Sequence, residues 1–148
     1  VTDTTLSEEE KHFLDENGYL PLPEILSDDQ VRAFVRRLEQ IEEDEAEEAG
    51  AEFHQEAGTI RISDLVNKSP LFEICFTHPR VLAAIAHVLV DDFKLSSLNG
   101  RAAPPGHGLQ ALHVDGRNLN LDGSGDIPLQ RGDHVVCNSI WLLTYFTP

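Results

Sequence analysis

The chain has 148 residues, room for one ordinary domain or part of a larger one, and 41% of them are hydrophobic, enough for a packed core. A formal net charge of −15 argues against nucleic acid or an anionic membrane as partner, because those surfaces are themselves negative. No apolar run approaches the length of a membrane span and no basic, apolar, small-residue succession opens the chain, so a soluble, cytoplasmic protein is expected.

Ser7-Glu8-Glu9-Glu10 has the form of a capping box and predicts a helix to about Glu16, with Asn17-Gly18 as its left-handed stop. Tyr19–Pro23 is then extended, since proline disfavours helix in its predecessor. Ser27-Asp28-Asp29-Gln30 is a second capping box. It opens a long helix from about Asp28 to Ala49, with Val31, Phe34, Val35, Leu38 and Ile41 on one face. That stripe is expected in the core. The acid excess of Glu39–Glu56 is expected to be a solvated face, with Glu42, Glu43, Glu47 and Glu48 in water.

Thr59–Leu65 reads as a short extended piece or a turn. Ser69-Pro70 begins a helical stretch, with proline tolerated in the first turn. His78-Pro79 restarts it with Val81, Leu82, Ile85, Ala86 and Leu89 as an apolar stripe. From Phe93 onward the period becomes extended, and Lys94–Leu98, Leu109–Val114 and His134–Leu143 are the strand candidates. Gly116–Gly132, rich in Gly, Asn and Asp, is a long loop. Helices followed by strands predict an α+β arrangement, helices on one side of an antiparallel sheet. Cys75 and Cys137 stand far apart in apolar runs and read as buried free thiols.

The chemistry is carried by His113-Val114-Asp115. Side chains two apart on an extended segment point to the same side, so this triplet offers an imidazole and a carboxylate to one metal ion. That is two-thirds of the 2-His-1-carboxylate triad of non-haem Fe(II) oxygenases. Within the chain, His134 and His107 are the candidates for a third ligand. His12, His54, His78 and His87 fall on helical segments and read as surface or packing residues.

Several segments together resemble one family. Phe13–Pro23 is similar to its N-terminal helix and first strand, and Leu26-Ser27-Asp28-Asp29-Gln30-Val31 to the start of its second helix. Pro104-Pro105 followed by Leu112-His113-Val114-Asp115-Gly116 resembles its iron-binding strand. Trp141–Pro148 resembles the strand before its Asn-Gly turn. The family is that of the phytanoyl-CoA dioxygenases, Fe(II)- and 2-oxoglutarate-dependent oxygenases, and the likeness is to their N-terminal part.

The resemblance implies a jelly-roll, or double-stranded β-helix of cupin type, packed with N-terminal helices. Residues 1–148 would form a single incomplete oxygenase domain: 1–92 mainly a helical flank, 93–148 the first part of the jelly-roll with its C-terminal strands missing. It makes His113 and Asp115 iron ligands and puts Arg61, Leu98 and Trp141 around the 2-oxoglutarate pocket. Asp115 stands where related halogenases carry a small residue, which favours hydroxylation of a small organic substrate. The distal His and the carboxylate-binding Arg are expected beyond residue 148. The chain has no Met, begins at Val1 and stops on a strand-type run. It therefore reads as a fragment that alone binds Fe(II) weakly. The loop Gly116–Gly132 is longer than usual for the family. Two other readings stay open: a non-catalytic acidic domain of the same fold that binds a partner, and another cupin-type metalloenzyme that does not use 2-oxoglutarate.

Overall fold

The computed structural model describes residues 4–51, 55, 58–90, 92–111 and 136–143. In chain order it carries α1 (Glu8–Asn17), α2 (Asp28–Glu45), β1 (Ile60–Ile62), α3 (Leu65–Lys68), α4 (Ile74–Thr77), α5 (Pro79–Leu89) and β2 (Gly100–Ala102), with 3-10 turns at Ala46–Glu48 and Pro70–Glu73. The described part is thus α+β, five helices and one two-stranded antiparallel sheet. No single helix among the described residues is long and apolar enough to cross a membrane. Two compact units are present. Of the described residues, 4–23, 77–90, 92–94 and 136–140 belong to one, and 24–51, 55, 58–76, 95–111 and 141–143 to the other.

In the first unit, α1 begins as its sequence predicts. The Ser7 hydroxyl accepts from the Glu10 N–H at 3.2 Å, and the Glu10 carboxylate accepts from the Ser7 N–H at 2.8 Å. It ends at Gly18, φ 74°, whose N–H donates to Leu14 O at 2.9 Å, the left-handed close that glycine adopts without a Cβ penalty. No residue of α1 is fully buried. Side chains tie it to α5 instead. The Arg80 guanidinium grips both oxygens of Glu10 and donates to Thr5 O at 2.5 Å. One turn-pair further along, His87 Nε2 lies 2.7 Å from Asp15 Oδ1. His87 is therefore a buried packing residue, 7% exposed. On α5, Pro79 occupies the first turn and Val81 is buried, with Leu82, Ile85, Ala86 and Leu89 half-buried.

The second unit holds a hydrophobic core of Phe34, Ile41, Ile62, Leu65 and Phe72. The Ser27–Gln30 capping box starts α2, with its two bonds at 3.3 and 2.9 Å. Phe34 and Ile41 are buried and Val31, Val35 and Leu38 half-buried, so the expected stripe faces inward. Glu43, Glu47 and Glu48 are exposed as expected, while Glu42 is half-buried. The rings of Phe34 and Phe72 stack at 5.4 Å with a 10° interplanar angle, joining α2 to the Pro70–Glu73 turn. α2 stops at Glu45, short of the expected Ala49. Its last turn carries acids and no base, which opposes the helix dipole. A Lys68–Glu45 contact at 2.6 Å offsets part of this, and Arg37 donates to Lys68 O at 2.8 Å.

β1 and β2 pair antiparallel, Ile60 with Ala102, Arg61 with Arg101 and Ile62 with Gly100. Gly100 of β2 lies close against side chains of α2 and α3. A Cβ there would lie 3.2 Å from Leu38 Cδ2 and 3.7 Å from Leu65 Cδ1.

Three strand expectations need correction. Residues 93–99, containing Lys94–Leu98, form no ladder, and the strand starts at Gly100 instead. The reason is local. Asn99 Oδ1 accepts from the Asp64 N–H at 3.4 Å and Asn99 Nδ2 donates to Ser97 Oγ at 3.3 Å, so side chains take over pairing there. Residues 109–111 of Leu109–Val114 and 136–143 of His134–Leu143 are also unladdered; the remainder of both segments lies outside the described residues. The period of two nonetheless persists at 140–143. Trp141 and Leu143 are half-buried, whereas Ile140 and Leu142 are 80% and 78% exposed.

Phe72→Ala is expected to cost about 3–5 kcal/mol of stability in urea titration, because it empties the stack under α2. The pH dependence follows from Glu10. Its hydrogen bonds to Arg80, then to the Ser7 backbone, hold its carboxyl at about 2, below the ordinary 4.5. A depressed carboxyl stabilises the fold fully above its unfolded value and loses that contribution as pH falls through the folded one. Denaturation curves between about pH 5 and pH 2 should therefore show a loss of stability. Arg80→Ala should flatten it.

Candidate functional site

The residues expected around the co-substrate all lie in the second unit. Arg61 is the centre of β1 and stands directly opposite Arg101. Strand alternation puts these two side chains on the face away from Ile62 and Gly100. Leu98 is half-buried, packs against the hydrophobic core, and its carbonyl accepts from the Leu65 N–H at 2.9 Å. Trp141 is half-buried two residues before Leu143, which also packs on that core. Arg61 further lines a cleft of about 420 Å³ with Thr59, Ile60, Gln55 and the acids Glu42 and Glu47. Its electrostatics are mixed, a guanidinium facing the acidic end of α2. Two residues beyond Arg61, Ser63 is 1% exposed, and its hydroxyl has no hydrogen-bond partner among the described residues.

His113 and Asp115, the expected metal ligands, lie outside the described residues, as does His134. Among the described residues no group of three His, Cys, Asp or Glu side chains is placed to hold a metal ion. His107, the other candidate third ligand, sits in a turn closed by its own N–H donating to Pro104 O at 3.0 Å. Its ring lies against Gly58, where an added Cβ would come 3.2 Å from Nδ1. His12 is a surface residue 3.3 Å from Glu16, and His78 precedes the first turn of α5. Both thiols are free and half-buried. Burial pushes Cys75 up to about 11 and raises Cys137 in the same direction.

Arg101 is the residue that sequence reasoning missed. The signal was present: Leu98, Gly100 and Ala102 alternate with Asn99 and Arg101 in a clear period of two. Placing the strand at Lys94–Leu98 hid it.

No curated protein and no solved structure matches the chain. The family profile of phytanoyl-CoA dioxygenase matches residues 14–147, which takes in the last turn of α1, the arginine ladder and the His113-Val114-Asp115 triplet. A match across nearly the whole chain places it in that family of oxygenases, generally dependent on Fe(II) and 2-oxoglutarate and acting on small molecules. The chain belongs to the phytanoyl-CoA dioxygenase family.

Proposed function

We propose that this chain provides the iron-binding part of an Fe(II)- and 2-oxoglutarate-dependent dioxygenase that hydroxylates an unactivated C–H bond of a small organic substrate. The observation that carries the reading is the family match running continuously through His113-Val114-Asp115. The donors present fit the group. An imidazole nitrogen and a carboxylate oxygen are suitable Fe(II) ligands and leave positions open for co-substrate and O2. Iron bound there would couple O2 and 2-oxoglutarate to the substrate, giving succinate, CO2 and the hydroxylated product.

The other roles belong to side chains of the chain itself. His113 and Asp115 would hold the metal. Arg61 would neutralise a carboxylate of the co-substrate, a task suited to a planar, permanently charged fork. The Ser63 hydroxyl, buried and without a hydrogen-bond partner among the described residues, supports this reading, since a buried hydroxyl left unbonded costs about 1–3 kcal/mol and can donate to a carboxylate. Leu98 would supply an apolar wall. Trp141 would offer an indole face.

Succinate release with added Fe(II), ascorbate and 2-oxoglutarate tests this in the protein carrying this sequence. Asp115→Ala and His113→Ala should each abolish release. Arg61→Ala should raise the 2-oxoglutarate concentration needed for half-maximal rate by about tenfold or more, the loss of one charge-assisted bond. Succinate release that survives Asp115→Ala would sink the assignment.

A further inference from the structure

The two faces of the β1–β2 ladder differ in kind. Ile60, Ile62 and Gly100 turn toward the hydrophobic core. Alternation therefore puts Arg61 and Arg101 on the other face, directly opposite each other. The chain carries 26 acids and 11 Lys and Arg, yet the residue facing Arg61 is another arginine. Cβ atoms of such a pair lie about 5 Å apart, and like charges there oppose the pairing. An anion between the two guanidinium groups turns that repulsion into a double attraction, through planar forks that match a carboxylate.

Arg101 is held in place. Its Nη2 donates to Gly108 O at 2.5 Å, and a Cβ on Gly108 would lie 3.0 Å from the same nitrogen. Gly108, φ 72°, thus seats the guanidinium where a side chain would push it away. A guanidinium has five N–H donors, so this bond orients the fork and does not exhaust it.

Ser63 adds a third donor. It stands two residues beyond Arg61, and the two chains stay paired past it, Leu65 N–H donating to Leu98 O at 2.9 Å. Alternation keeps its side chain on the arginine face. Ser63 is 1% exposed, and its hydroxyl has no hydrogen-bond partner among the described residues. A buried hydroxyl in that state lacks a bond that a carboxylate oxygen supplies. The three donors run from solvent to interior: Arg101 is exposed, Arg61 half-buried and Ser63 buried. Glu42 and Glu47 line the cleft beside Arg61 and repel an anion at a distance. Recognition there rests on short hydrogen bonds, not on the field of the whole chain.

We propose that the polar face of the β1–β2 ladder is a carboxylate site, in which Arg61 and Arg101 flank the anion and the Ser63 hydroxyl donates to it. The inference rests on the reading of Arg61 as a carboxylate-binding residue and involves no metal ligand. Two sources share this chemistry, the 2-oxo acid co-substrate and a carboxylate-bearing substrate.

Isothermal titration calorimetry on the metal-free protein carrying this sequence tests it, with 2-oxoglutarate and hexanoate as probes. At least one should bind at millimolar concentration. Arg101→Gln keeps an N–H for Gly108 O but drops the charge; it should weaken that binding by about tenfold, and Arg101→Lys should recover part of the loss. Ser63→Ala should weaken it by about fivefold without lowering the urea midpoint, because no bond of the free protein is lost. A serine that is merely structural would lower the midpoint and leave the affinity alone. Loss confined to 2-oxoglutarate assigns the face to the co-substrate, loss confined to hexanoate assigns it to the substrate, and either supports the inference. Affinity within about twofold of wild type in Arg101→Gln or in Ser63→Ala overturns the inference, and leaves the role of Arg61 intact where Arg61→Ala still weakens binding. Binding of neither probe by wild type overturns the inference together with the role of Arg61, while the iron assignment is decided separately by succinate release.

Discussion

The second unit depends on the burial of Ile62 of β1 in one core with Phe34, Ile41, Leu65 and Phe72. A ladder of three residues per strand is too short to stand alone in water. It persists because Ile62 is driven into the same core as Phe34, Ile41, Leu65 and Phe72. With Gly100 opposite Ile62, the strand sits against Leu38 and Leu65 without a wedge between them. The opposite face of the same ladder then presents Arg61 and Arg101. Two like charges directly across a ladder are unfavourable. The hold of Arg101 on Gly108 O and the acids beside Arg61 give each guanidinium local company.

The first unit is held differently. α1 buries none of its residues completely, so apolar packing contributes little to its own docking. Its order comes from the capping box, the glycine stop and two polar links to α5, Glu10 with Arg80 and Asp15 with His87. The charge-assisted bond between Glu10 and Arg80 is directional, and it responds to pH through the Glu10 carboxyl.

Signals confined to a few neighbouring residues were legible in the sequence. Both capping boxes, the Gly18 stop, the Pro79 restart and the inward stripe of α2 depend on local spacing, and all appear where their residues stand. Strand positions were less legible. A strand's existence depends on its partner, and β1 offers only Ile60–Ile62, so the apolar look of Lys94–Leu98 could not make a ladder. The end of α2 was misplaced for a related reason: helical period continues past Glu45, but a last turn full of acids does not hold a helix. At the candidate site, Arg61 was visible as a motif neighbour. Arg101 became visible only through register, and Gly108 only through the atoms that crowd it. The metal triplet came from the spacing of His113 and Asp115 together with the family likeness, and the profile match over residues 14–147 supports the family.

The central claim is that His113 and Asp115 hold an iron to which 2-oxoglutarate also binds. Anaerobic absorption spectroscopy tests it without turnover and without a known substrate, because a visible charge-transfer band forms only when both Fe(II) and 2-oxoglutarate occupy one site. Wild type should develop the band on addition of 2-oxoglutarate to the Fe(II)-loaded protein, and Asp115→Ala and His113→Ala should not. The same band in Asp115→Ala, or none in wild type at saturating Fe(II) and 2-oxoglutarate, would contradict the claim.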